Sequence, residues 1–242
     1  MIGMNDKGYS MIKHAPINWS QAYQENGSIY IPGYLETESG KFSLGWKVQS
    51  NRYQLIFMNK PGAGEFSGAQ KLYLLVQDKE TVTIYRELQP LKNSYELPEL
   101  EKIAAVNPND LFKVLKLTFQ YRELSYEPTV KSIQWSSAYQ GNGFTFIPGT
   151  AKAGFGTFNF LIKLGPKSIP QLITMKSAGS AENKPIEEKL FLLQNPLEGT
   201  TTLLKERIPL LNNPAPLVLQ KITTVDTSNF AEWKNNFTGK IK

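Results

Sequence analysis

The segment Ile17 to Gly33 reads INWSQAYQENGSIYIPG, and Ile133 to Gly149 reads IQWSSAYQGNGFTFIPG, so 11 of 17 positions match across a separation of 116 residues. The correspondence runs on with small slips. Gln54–Met58 (QLIFM) answers Gln171–Met175 (QLITM), Lys71–Leu75 (KLYLL) answers Lys189–Leu193 (KLFLL), and Lys102–Val106 (KIAAV) answers Lys221–Val225 (KITTV). Because the offset drifts only from 116 to 119, the chain is one fold unit written twice. It divides into an N-terminal arm, residues 1–16, a first unit, 17–127, and a second unit, 128–242. Each unit is about the size of an ordinary domain and long enough to bury a core.

Within each copy, short β-rich runs with period-two alternation are bounded by Gly, Pro and Asn, and sustained helical periodicity is nearly absent. The expected fold is all-β, two tandem eight-stranded β-sandwiches. In the first unit the strands are expected near Ile17–Tyr23, Ser28–Pro32, Lys41–Val48, Arg52–Met58, Lys71–Val76, Thr81–Leu88, Glu101–Val106 and Leu111–Tyr121. Their counterparts are Ile133–Tyr139, Phe144–Pro148, Thr157–Leu164, Gln171–Met175, Lys189–Leu193, Thr200–Arg207, Leu217–Val225 and Phe230–Phe237. The last segment also reads as a short helix, with Phe230, Trp233 and Phe237 at i, i+3 and i+7.

Asn26-Gly27 and Asn142-Gly143 mark a tight hairpin in each copy, because a type I′ turn needs positive φ at both central residues. Counting outward sets Tyr23 opposite Tyr30 and Ala22 opposite Ile31, with Tyr139 opposite Phe146 and Ala138 opposite Ile147. On unbroken alternation Trp19, Tyr23 and Tyr30 share one face, as do Trp135, Tyr139 and Phe146. Two readings stand for these rings. They anchor a core through cross-strand aromatic pairs, or they are stacking platforms for bases or sugars.

No residue set names a chemistry. The chain has no cysteine and a single histidine, His14, which excludes disulfides, thiolate sites and histidine triads. The carboxylates Glu36/Glu38, Asp78/Glu80, Glu99/Glu101 and Glu187/Glu188 are near in sequence, which is not the facing geometry of acid–base pairs. The glycine-rich Gly62–Gly68 lacks a Gly-Lys-Ser/Thr and precedes a strand, so it reads as an exposed loop, as does its counterpart Ser177–Pro185. The expectation is a non-enzymatic protein without cofactor or metal. The net charge of +6 lies wholly in the second half: residues 1–130 carry 14 Lys+Arg against 14 Asp+Glu, and residues 131–242 carry 13 against 7. Only four basic residues are arginine, which speaks against base-specific DNA readout and leaves weak, non-specific contact with an anionic surface such as nucleic acid through Lys152, Lys163 and Lys167.

Two sandwich-sized β units in one chain resemble the double jelly-roll major capsid proteins of tailless, often membrane-containing icosahedral phages and viruses. The likeness is architectural, covers the chain after about residue 16 and rests on no diagnostic motif. It implies jelly-roll sandwiches, a homotrimer whose six barrels tile as a pseudo-hexamer, and an N-terminal arm reaching a neighbour or an internal membrane, with Lys7 and Lys13 able to meet lipid phosphate. It also implies contact with other virion proteins and a place in the virion after assembly in the host cytoplasm. The absence of a secretory signal pattern and of a long apolar run fits a chain neither secreted nor membrane-spanning. The alternative is a tandem-domain, non-specific single-stranded nucleic-acid-binding protein; a second alternative is another virion component, of tail or adhesion type.

Overall fold

The computed structural model describes residues 13–38, 40–50, 52–58, 70–91, 94–117, 132–153, 156–166, 169–176, 186–207 and 216–238. Residues 1–12 of the arm, with Lys7, lie outside these residues, as do Lys167, the loops Gly62–Gly68 and Ser177–Pro185, and the connector Glu123–Lys131. The fold is all-β, built from large sheets and a barrel.

The first unit supplies β1 (Ile17–Trp19), β2 (Tyr23–Glu25), β3 (Ser28–Thr37), β4 (Gly40–Gln49), β5 (Arg52–Phe57), β6 (Leu72–Val76), β7 (Val82–Leu88) and β8 (Glu99–Val106). The second repeats them as β9 (Ile133–Trp135), β10 (Tyr139–Gly141), β11 (Phe144–Ala153), β12 (Gly156–Leu164), β13 (Gln171–Lys176), β14 (Ile186–Asn195), β15 (Thr200–Arg207) and β16 (Val218–Asp226). In each unit the first five strands form an outer layer and the last three an inner layer; in the second unit the two are one continuous sheet through β13 and β14, and in the first an isolated bridge of Ile56 with Lys71 joins them. The layers enclose the unit's core: Leu35, Leu44 and Trp46 meet Leu72, Leu74 and Ile84 in the first unit, and Ile147, Phe160 and Ile162 meet Leu190, Leu192 and Leu203 in the second.

The two inner layers close onto each other. Strand β14 pairs in parallel with β8 (Leu192 with Glu99), and β16 pairs in parallel with β6 (Leu219 with Leu75), so β6, β7, β8, β14, β15 and β16 form one closed six-stranded barrel. Since β6 and β14 are equivalent, and β8 and β16 are equivalent, the two junctions are the same contact made twice, as about a two-fold axis. The barrel interior obeys that symmetry: it holds Tyr73 with Phe191, Tyr85 with Leu204, Leu100 with Leu219 and Leu75 with Leu193, each a repeat-equivalent pair. The Tyr73 and Phe191 rings meet at 4.5 Å between centroids. Barrel strands are therefore buried on both faces, which is why Leu72–Val76 reads as an unbroken apolar run rather than an alternating one. Two ion pairs cross between the units in the same reciprocal way, Lys71 with Glu206 at 2.5 Å and Lys189 with Glu87 at 2.5 Å. The boundary at 127/128 separates repeats in the sequence, while the hydrogen-bonded sheet runs across it.

The segments expected as final strands are helical. Where Leu111–Tyr121 was to be a strand, the described part forms α1 (Pro108–Phe112) and a 3-10 turn, Lys113–Leu115, and Phe230–Phe237 falls in α2 (Thr227–Ala231) and α3 (Trp233–Thr238). The reason is capping: Asn107 accepts from the Asn109 amide at 2.8 Å with Pro108 opening α1, and Asp226 accepts from the Ser228 amide at 2.8 Å. Helical spacing then turns Leu111 and Leu115, or Phe230 and Trp233, into the cores. The cores differ in which element carries the indole. Trp46 on β4 fills the first, whereas its counterpart on β12 is Ile162 and the buried indole is Trp233 of α3.

Burial, and then the Glu87 carboxylate, push the Tyr73 hydroxyl far above the ordinary tyrosine range. A raised folded-state value stabilises the fold below the unfolded tyrosine pKa of about 10 and is lost as pH climbs above it. Tyr73→Phe, which gives the first unit the residue found at 191, is expected to reduce the loss of stability between neutral and strongly alkaline pH in denaturant titrations. An unchanged alkaline limb would contradict the burial of that hydroxyl.

Candidate functional site

Both hairpins have the predicted turn: φ is 47° at Asn26 and 73° at Gly27, and 51° at Asn142 and 79° at Gly143. Tyr23 lies opposite Tyr30 and Tyr139 opposite Phe146, with the rings stacked at 5.4 Å and 5.3 Å.

The tryptophans do not share that face. Unbroken alternation would set Trp19 opposite Tyr34, yet it lies opposite Gly33, and Trp135 likewise lies opposite Gly149. One residue is taken up in Ser20–Ala22 and again in Ser136–Ala138, and a slip of one residue reverses every side chain beyond it. The same slip leaves Ala22 and Ala138 outside the ladder, so their expected pairing with Ile31 and Ile147 is absent. Both indoles pack toward the cores instead. Trp19 Nε1 donates to the Asp110 carbonyl at 2.9 Å and Trp135 Nε1 to the Asn229 carbonyl at 2.8 Å, pinning the edge of each sandwich to the helix that follows it. The shared Ile-Pro-Gly has a physical reason here. A Cβ on Gly33 would come within 2.7 Å of the Trp19 ring, and one on Gly149 within 2.7 Å of the Trp135 ring.

The stacked rings lie on the opposite face, away from the core, and there cross-strand register assembles a row. In the first unit it runs Tyr23, Tyr30, Lys47, Gln54 across β2, β3, β4 and β5. In the second it runs Tyr139, Phe146, Lys163, Gln171 across β10, β11, β12 and β13. Tyr30 forms a small buried cluster with Ile56 and Met58, while Tyr23 and Tyr139 are 37% and 49% exposed. Burial, then Glu25, raise the Tyr23 hydroxyl above its usual value, so at neutral pH it is an uncharged ring and donor.

The row has hardly changed between the copies, whereas its surroundings have. On the same face Tyr34 became Thr150, Glu36 became Lys152 and Gly45 became Leu161; behind it, in the core, Leu44 became Phe160 and Trp46 became Ile162. Buried positions such as Ile17 and Ile133, Leu55 and Leu172, and Leu74 and Leu192 are also identical, as packing requires, so what marks the row is that its partly exposed positions held with them while others on the same face drifted. Exposed Gln24 and its counterpart Gln140 are also identical.

Of the lysines expected at anionic surfaces, Lys13 and Lys152 are exposed. Lys163 is not free: its Nζ reaches both Glu187 carboxylate oxygens at 2.7 and 2.8 Å and sits 4.3 Å above the Phe144 ring. Sequence reasoning missed Lys47 and Gln54 as members of a site. The signal was present, since Lys47 matches Lys163 at the hairpin's own offset of 116. Several other polar groups have structural partners, while the buried Thr83 hydroxyl has none among the described residues. His14 contacts the Thr81 hydroxyl at 3.2 Å, Glu101 pairs with Arg86, and Glu99, its carboxyl raised by burial and then by Glu96, accepts from Gln194. Among the described residues no group of His, Asp or Glu is arranged to hold a metal ion, and no helix is long and apolar enough to cross a membrane.

These positions separate two roles. Trp19→Ala and Trp135→Ala are each expected to cost about 3 kcal/mol, whereas Tyr23→Ala and Tyr139→Ala should each stay within about 1 kcal/mol of wild type. Urea denaturation midpoints measure both, and a tyrosine change as damaging as a tryptophan change would make the row part of the core. No protein-family model, curated protein or solved structure matches this chain.

Proposed function

We propose that this chain is a non-enzymatic binding protein that holds single-stranded nucleic acid, without base specificity, on the outer sheet faces that carry the two repeat-related rows. The observation that carries the reading is the row of two stacked rings, a lysine and a glutamine, kept in both copies while neighbours on the same face, Tyr34, Glu36 and Gly45, became Thr150, Lys152 and Leu161. A ring stacks on any base, a lysine attracts phosphate without reading sequence, and a glutamine amide supplies adaptable hydrogen bonds. The overall charge of +6 and the scarcity of arginine fit an anionic, non-specifically bound polymer better than a base-reading interface.

The coat-protein reading asks something different of the same chain. Pseudo-hexagonal tiling by trimers of a double jelly roll needs two barrels side by side in a head-to-tail relation, each with its own closed core. The reciprocal β8–β14 and β6–β16 junctions are isologous and fuse the inner layers into a single barrel. Strand neighbours along both sheets are mostly consecutive in sequence, whereas a jelly roll interleaves its strands through Greek-key connections. We therefore rank a homotrimeric shell below the binding role.

Fluorescence anisotropy with a labelled oligothymidylate of about 16 nucleotides, long enough to span a site of ordinary size, tests the reading. Binding is expected at low ionic strength, weakening steeply with added salt, and the Tyr23→Ala/Tyr139→Ala double variant should lose about tenfold or more in affinity. Absence of binding at low salt would refute the proposal. Binding of a neutral glucan, unaffected by salt, would convert the rows into a carbohydrate site.

A further inference from the structure

The two rows match in geometry and differ in charge. In the second row the Lys163 ammonium is held by both oxygens of Glu187 and by the face of Phe144, and its side chain is only 15% exposed. Lys47, at the same place in the first row, makes no ion pair among the described residues. Both parts of the clamp are peculiar to the second copy. The residue at Phe144's position in the first unit is Ser28, and the sequence counterpart of Glu187 is Ala69.

We propose that Glu187 closes the second row to an anionic strand, so that the first row is the primary site and the second is engaged only when the Lys163–Glu187 pair is broken. The inference rests on the nucleic-acid reading above. A phosphate approaching Lys163 must displace a two-oxygen, charge-assisted contact and meets the carboxylate's own repulsion. At the first row no described residue forms an ion pair with the ammonium. On the next cross-strand line Arg52 is set against Glu25 in the first unit, whereas in the second Gly141 replaces Glu25 and, on the same face, Lys152 replaces Glu36, so the surround of the second row is the more basic and Glu187 is the group that offsets it. Tyr139 is also more exposed than Tyr23, and Phe144 adds a further ring. The second row thus has the better stacking surface with its cation neutralised, as a site held in reserve would.

The test uses the full-length chain and the same labelled oligothymidylate at low salt, comparing wild type, Tyr23→Ala, Tyr139→Ala, Glu187→Gln and Tyr23→Ala/Glu187→Gln. Tyr23→Ala is expected to lower affinity about tenfold and Tyr139→Ala by less than about twofold, because only the first row is in use. Glu187→Gln should raise the saturating stoichiometry from one strand per chain to two, and in the Tyr23→Ala background it should recover most of the lost affinity. If wild type binds but Glu187→Gln changes neither stoichiometry nor the Tyr23→Ala affinity, Glu187 is no gate. Equal losses from Tyr23→Ala and Tyr139→Ala would also overturn the inequality of the rows while leaving the nucleic-acid reading intact. Failure of every protein, wild type included, to bind would remove that reading and this inference with it.

Discussion

Parallel pairing of β6 with β16 and of β8 with β14 is the contact on which the remaining architecture depends. Without it each unit would leave the outer edge of β8 or β16 unpaired and present a bare apolar face bearing Tyr73, Leu75, Tyr85 and Leu100, or Phe191, Leu204 and Leu219. Open edges and exposed apolar faces invite association with other chains. Closing the two layers on each other removes both problems in one step, because every barrel strand gains a hydrogen-bonded neighbour on each side. The reciprocal Lys71–Glu206 and Lys189–Glu87 pairs add specificity to that closure more than stability, since partly exposed ion pairs contribute little. Glu87 is the exception in degree. It is 8% exposed, receives the Tyr73 hydroxyl at 3.4 Å, and would be costly to leave without Lys189.

The barrel also decides where anything can bind. Inner layers are covered on both faces, so only the outer faces of β2–β5 and β10–β13, the hairpins and the loops remain for ligands. The one-residue slip after each tryptophan is the device that makes such a face usable. It sends the indole inward to its helix carbonyl and leaves the tyrosine on the outside, so one short segment both fastens the sandwich and presents a ring.

Much of this was legible in the residues, and the failures have identifiable causes. The hairpin turns and the Tyr23–Tyr30 and Tyr139–Phe146 pairs follow from Asn-Gly and counting, because a two-residue turn fixes register locally. The shared face of Trp19 and Tyr23 did not follow, since nothing in Ser20-Gln21-Ala22 announces a slip; only the glycine facing each indole hints at it. The helix ending the first unit was missed because α1 spans five residues, too short for a periodic signal, although Asn107-Pro108 is a recognisable cap, whereas in the second unit the spacing of Phe230, Trp233 and Phe237 already offered a helix beside the strand. Closure of the barrel was beyond reach, because parallel pairing between distant strands leaves no local mark. The unbroken apolar run Leu72–Val76 was its only trace, consistent with a strand buried on both sides. As for the site, reading Trp19 and Trp135 as anchors and Tyr23 and Tyr139 as platforms required knowing which face each occupied.

The central claim is that two repeats fold as one body around a shared barrel, with the two aromatic–lysine–glutamine rows carried on its flanks. Native-state hydrogen exchange resolved by residue tests it most directly. The account predicts that amides of β6, β7, β8, β14, β15 and β16 share the slowest exchange, at the free energy of global unfolding, while β1, β2, β9 and β10 exchange earlier in both units alike. Separate exchange of the two halves, with the strands of one unit opening while those of the other stay protected, would contradict a common barrel.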